Sequence, residues 1–183
     1  MKLAHFTTIA IAAIVSAVAI PALAQVVVGG APMYASKDII DNAVNSKDHT
    51  TLVAAVKAAG LVQTLKGPGP FTVFAPTHDA FAALPAGTVD TLLKPENKPA
   101  LTKVLTYHVV AGKMDSAALT KAIDAGNGKA TLTEVSGGTV TATRSGSMIM
   151  LTDESGGMAH VTIPDVVQSN GVIHVVDKVL LPK

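Results

Sequence analysis

The chain contains no cysteine and no tryptophan, and only two tyrosines and four phenylalanines in 183 residues. Without thiols there is no disulfide framework, no lipid attached to an N-terminal cysteine, and no thiolate ligand for zinc. The fold must therefore hold by packing alone. Charge is also sparse: Asp, Glu, Lys and Arg make up 15% of the residues, and no block of like charge occurs. Electrostatic capture of nucleic acid or anionic lipid has no support in such a sequence. After the N-terminus no apolar run is long enough to cross a bilayer, and no repeat at a fixed period points to a solenoid.

The exception is the first two dozen residues. Met1-Lys2 is a short basic start, Ile9 to Ile20 is apolar, and Pro21-Ala22-Leu23-Ala24 ends the run with small residues. This pattern predicts a signal peptide over residues 1–24, cleaved between Ala24 and Gln25. Cleavage would leave 159 residues with 13 basic and 13 acidic side chains, a neutral chain of single-domain size. An exported protein follows, periplasmic or extracellular. Residues 25–36 read as an extended, loosely held lead-in, and 37–183 as the domain.

The organising stretch is Gly69 to Phe81, which holds three of the four phenylalanines. Phe71 to Ala75, with Val73 and Phe74 inside it, is short, β-branched and aromatic, as a core strand should be. Pro76 ends it, and Thr77 can cap a helix presenting Ala80, Phe81 and Leu84 on one face. Before it, a helix capped by Ser36 carries Ile39, Ile40 and Ala43. A second carries Leu52, Val53, Val56 and Ala59 up to Gly60. After it come helices over 88–93, from Asn97 to about His108, and from Asp115 or Ser116 to Gly126, with Val109-Val110 as a strand.

From Lys129 onward the apolar period changes from 3.6 to 2. Glycine-rich joints at Ser136-Gly137-Gly138, Ser145-Gly146 and Ser155-Gly156-Gly157 separate the strands of a meander. Asn170-Gly171 is a tight-turn signal ahead of the last strand, Val172 to Val176. Helices first and sheet second argue an α+β fold in one domain.

Catalytic and metal-binding patterns are wanting. Five histidines follow the leader (His49, His78, His108, His160 and His174), but none are spaced as a helical metal pair and no H-E-x-x-H occurs. No nucleophile elbow G-x-S-x-G occurs: around Ser147 the glycine positions are held by Ser145 and Ile149, with Arg144 before them. Proline removes two amide donors from Gly67-Pro68-Gly69-Pro70, so it does not read as a phosphate loop. His78-Asp79 at a helix start is explained by the helix dipole. His108 and His174, each followed by Val-Val, read as partly buried, hydrogen-bonded strand histidines.

Three stretches together resemble fasciclin domains, in order and in separation, over about Tyr34 to Lys183. Phe71-Thr72-Val73-Phe74-Ala75-Pro76-Thr77 with Ala80-Phe81 resembles the family's first block. Tyr107-His108-Val109-Val110 resembles its central Tyr-His motif. Asn170-Gly171-Val172-Ile173-His174-Val175-Val176-Asp177, with Leu180-Leu181-Pro182, resembles the second block. His78 stands where the first block usually has Asn, and Asp165-Val166 where Asp-Ile often precedes the second.

The resemblance implies a wedge-like β-sandwich flanked by N-terminal helices, with Val73, Val109 and Val175 in one core. It implies an adhesion-type protein that works by binding a protein or polysaccharide at a cell surface or matrix, with no cofactor, no metal and no catalysis. Tyr107 and His108 are then the first candidate contact residues and His78 and Asp79 the second. In animal members the region matching Tyr107 and His108 is linked to integrin contact, a ligand not carried over here. Two rivals stay open: a periplasmic small-ligand or metal-binding protein, and a hydrolase using His108 or His174.

Overall fold

The computed structural model describes residues 25–183; the expected signal peptide lies outside the described residues. The chain begins with a two-residue hairpin, β1 (Val27–Val28) and β2 (Ala31–Pro32). Gly29 and Gly30 turn it with φ of 58° and 75°. Val28 and Met33 are buried in the helix-side core, and the Lys47 amide donates to the Gly29 carbonyl at 3.2 Å. The lead-in is thus extended within its two short strands, but it folds back on itself and is not loosely held. Gly-Gly between valines and Ala-Pro supplies the left-handed turn that lets it fold back.

Three helices follow: α1 (Ile39–Ala43), α2 (Thr50–Ala59) and α3 (Val62–Lys66). Asp38, not Ser36, caps α1, its carboxylate accepting from the Asp41 amide at 2.8 Å. Gly60 ends α2 in the left-handed conformation, as the sequence predicts. The central strand β3 (Phe71–Pro76) leads to α4 (His78–Ala82), whose Ala80 amide donates to the Thr77 hydroxyl at 3.2 Å. Next come α5 (Thr88–Leu93), α6 (Lys98–Thr106), β4 (Val109–Ala111) and α7 (Ser116–Ala125). The meander is β5 (Lys129–Thr133), β6 (Thr139–Ser145), β7 (Met148–Thr152), β8 (Met158–Gln168) and β9 (Gly171–Val176).

Strand β8 runs through Pro164: register shifts on either side of Ile163 absorb the proline, and Asp165 turns through a φ of 59°. The kinked strand pairs with β7 at one end and β9 at the other, joining two halves of a single sheet. Its order is β4-β3-β9-β8-β7-β6-β5, antiparallel except for the parallel pair β3 and β9. The two edges almost meet. Val110 bridges Glu134, and the Val135 amide donates to the Val109 carbonyl at 2.8 Å. The expected wedge is one sheet curled on itself, with helices packed on one outer face: an α+β domain.

Two cores result. Val73 and Ala75 of β3, with Ile173 and Val175 of β9, face α1, α2 and α6; Val109 joins them, as expected of the three motif blocks. Phe74 and Val176 face the other way, into the curl, with Leu119 and Ile123 of α7 and the inward residues of β5 to β8. Strands β3 and β9 are covered on both faces, which is why they read as continuous apolar runs rather than alternating ones.

Candidate functional site: the Tyr107-His108 junction

Helix α6 buries Leu101, Val104 and Leu105, and its last turn delivers Tyr107 and His108 to the start of β4. Their side chains leave in different directions into the interior; Tyr107 has no exposed surface and His108 is 2% exposed. The Tyr107 ring enters the curl. Its hydroxyl donates to the Thr139 carbonyl at 2.6 Å and accepts from the Glu154 amide at 3.0 Å. One phenol thereby ties the turn between β5 and β6 to the turn between β7 and β8. Gly138 makes room for it, because a Cβ there would stand 2.6 Å from Tyr107 Cε2.

His108 is bonded at both nitrogens. The Leu180 amide donates to Nε2 at 2.9 Å, so the ring proton sits on Nδ1 and donates to the Val104 carbonyl at 2.8 Å. That fixes the neutral tautomer and pins the C-terminal segment to α6. Burial pushes the His108 pKa down to about 4 and the Tyr107 pKa up to about 12, with the Glu134, Glu154 and Asp153 carboxylates adding to the latter. Both groups are neutral near pH 7.

Tyr107 and His108, the first candidate contact residues, both lie inside at a helix end; the hydrogen-bonded reading of His108 holds, but it sits at the end of α6 rather than in a strand. Sequence cannot separate the two roles, because an amphipathic side chain that can contact a partner can equally close a hydrogen-bonded core.

The other motif residues also serve the interior. His174 is fully buried and stacks on Phe74 with ring centroids 5.8 Å apart. Its Nε2 donates to the Met114 carbonyl at 2.7 Å and its Nδ1 accepts from the Asp165 amide at 3.4 Å. Burial lowers its pKa, and likewise that of His49, whose Nδ1 meets the Ser46 hydroxyl at 2.9 Å. Asn170 does more than turn the chain. Its Oδ1 accepts from the Ile39 amide, and its Nδ2 donates to the Leu65 and Gly67 carbonyls. Gly171 lies so close to β3 that a Cβ would meet the Phe71 oxygen at 2.1 Å. The Asp177 carboxylate accepts from the His160 amide at 2.7 Å and from its ring at 2.9 Å.

His78 and Asp79 are exposed at the start of α4, and the His78 ring bonds the Thr51 hydroxyl on α2 at 2.7 Å. No hydrogen bond links them to Tyr107 or His108 among the described residues. Of the partners that make the junction, Thr139, Asp153 and Glu154 carried no signal in sequence beyond lying at glycine-rich turns, whereas Leu180 lies in the second motif block.

The arrangement does not favour the rival readings. Among the described residues no three His, Asp or Glu side chains are grouped to hold a metal. Both nitrogens of His108 and of His174 are engaged by backbone groups, leaving neither free to act as a base. The apolar cavity under α1 and α2 measures about 40 Å³, far below the roughly 300–1,000 Å³ of ordinary ligand pockets; a cleft of about 470 Å³ between the lead-in and β8 falls within that range but is lined by none of the five histidines.

Residues 47–182 match the family model of the fasciclin domain. The chain belongs to the fasciclin-domain family. It is 48% identical over 157 residues to protein sll1483 of Synechocystis sp., a match covering 85% of this chain and 79% of that one. Immunogenic protein MPB70 of Mycobacterium bovis is 37% identical over 145 residues, covering 76% of this chain and 66% of that protein. Human periostin is 30% identical over 152 residues, 81% of this chain but only 16% of periostin. Among solved structures, a FAS1 domain pair from the insect cell adhesion molecule fasciclin I superposes with a TM-score of 0.71. There the identity is 16%, and the match covers 79% of this chain and 51% of that one. That likeness concerns the fold: helices on a curled seven-stranded sheet. Among the described residues no helix is long and apolar enough to cross a membrane.

Proposed function

We propose that this fasciclin domain is an exported, non-enzymatic binding module that adheres to a protein or polysaccharide at a cell surface, in a matrix or in the periplasm. Contact is made by the exposed turns that the junction holds rather than by Tyr107 and His108 themselves. The observation that carries this reading is the Tyr107 hydroxyl, which fixes two turns at once while lying wholly inside. Above it Val135 is 49% exposed and Ser155 is open to solvent, an apolar and polar pairing suited to an interface. The adhesion role named for the insect relative supports the class of function. His78 and Asp79 form a second exposed point at the N-terminus of α4.

The test is binding of the purified domain to intact cells and envelope fractions, with variants sorted by stability. Val135→Asp should lower binding at least tenfold with an unchanged melting temperature, and His78→Ala should have a smaller effect. Undiminished binding by both would remove these turns from the interface.

A further inference from the structure

We propose that Glu134 is a proton-operated latch on the seam where the curled sheet closes. Its backbone makes the bridge to Val110, and its side chain turns inward on the same face as Ala130 and Leu132. The residue is 3% exposed, and among the described residues neither carboxylate oxygen has a hydrogen-bond partner on another residue. Most buried polar groups are paired, so an orphaned pair of oxygens at the joint between two sheet edges calls for a reason.

The surroundings supply one. Glu134 acts on the Tyr107 phenol and on the Glu154 carboxylate from the turn between β7 and β8, and Asp153 of the same turn acts on that phenol. Asp153 is engaged by the Gly157 and Leu181 amides, and Glu154 by the Thr139 amide. Lys103, the cation that acts on Glu154, donates its ammonium to the Lys183 carbonyl. Among the described residues no cation is paired with Glu134. A carboxyl in that setting is tolerated when neutral and costly when ionised. Burial, with Glu154 adding to it, pushes its pKa up to about 8.

The direction of the switch follows. The unfolded chain releases this proton near 4.5 and the folded one near 8. Between those values the folded state holds more protons than the unfolded state, so stability falls as pH rises across the window and levels above it. Ionisation is relieved if the β5–β6 turn swings outward, hydrating the carboxylate and releasing the Val135 amide from Val109. The seam is therefore shut when Glu134 is protonated and loosens when it is not.

Two measurements on the full-length protein test this. Glu134→Gln keeps the shape of the neutral acid and cannot ionise. From about pH 5 to about pH 8 wild type should lose roughly 5 °C or more in Tm relative to the variant, with parallel curves above. In wild type, amide-exchange protection at Val135, corrected for intrinsic rates, should fall between about pH 6 and about pH 9 relative to the core amides of β9, which is separated from the seam strand β4 by β3. In Glu134→Gln it should not. Should the variant fail to fold, the wild-type exchange ratio alone decides. Parallel melting curves, or constant Val135 protection, would overturn the latch. Recovery of protection at high pH on adding millimolar calcium would overturn it too, in favour of a cation site.

Discussion

The two cores of this domain are built on opposite faces of the same two strands, and they solve the packing problem differently. The helix-side core is filled by short helices, encloses a cavity of about 40 Å³, and is closed by backbone ties such as those of Asn170. The interior of the curl is lined by small and branched residues from β4 to β9, by Phe74 of β3 and by α7, and is crossed by side chains bonded at their polar ends, Tyr107 and His174. One side is filled; the other is strung. A loosely filled core should tolerate added volume and lose little shape, whereas a strung one should fail when a string or a wall is cut.

The largest effect expected from that contrast is truncation inside the curl. Phe74→Ala removes a ring with no exposed surface and its stacking partner for His174, and should cost about 3–5 kcal/mol in chemical denaturation. Next comes Tyr107→Phe, which leaves the Thr139 carbonyl and the Glu154 amide unpaired and should cost about 1–3 kcal/mol. A matched pair of insertions sharpens the contrast. Val140→Ile has no space and should destabilise by about 1–3 kcal/mol. Val73→Ile adds its methylene toward the cavity that Val73 lines and should be neutral or gain up to about 1 kcal/mol. Equal losses for the two insertions would erase the distinction between the cores.

The smallest expected effect is acid loss through the histidines. Their folded pKa values lie below the usual 6.5, with His108 at about 4 and His49 and His174 lowered. Below 6.5 the unfolded chain therefore binds more protons than the folded one. Stability should fall as pH drops from about 6.5 toward about 4 and stay flat above that range. In wild type the opposing slope from Glu134 blunts this fall, and Glu134→Gln should expose it in full. A melting temperature independent of pH in that variant would show the three rings to be accessible.

What sequence made legible was local. Thr77, Gly60 and Asp115 announce helix ends because capping depends on one side chain and a few neighbouring amides. The meander shows itself because its period and its glycines are adjacent. What stayed hidden was assembled from distant parts. Nothing near Phe71 or Gly171 says that β3 and β9 run parallel, and nothing in Glu134 says that it closes the sheet against Val110. Family resemblance singled out Tyr107, His108, His174 and Asn170, yet a list of positions carries no direction for a side chain. The interior placement of Tyr107 and His108 needed coordinates, because their partners are a carbonyl and amides that every residue possesses. The hairpin at Val27 to Pro32 was concealed for another reason: two residues per strand are too few to show alternation.

The account rests on Tyr107 acting as an internal string rather than a contact, and amide exchange at Glu154 reads that bond directly. In Tyr107→Phe the Glu154 amide should lose about tenfold or more of its protection, the equivalent of one hydrogen bond. The Phe74 amide, which donates to the His108 carbonyl at 2.9 Å, should change no more than global stability requires. Unchanged protection at Glu154 would mean that the phenol ties nothing, and that Tyr107 belongs at the surface after all.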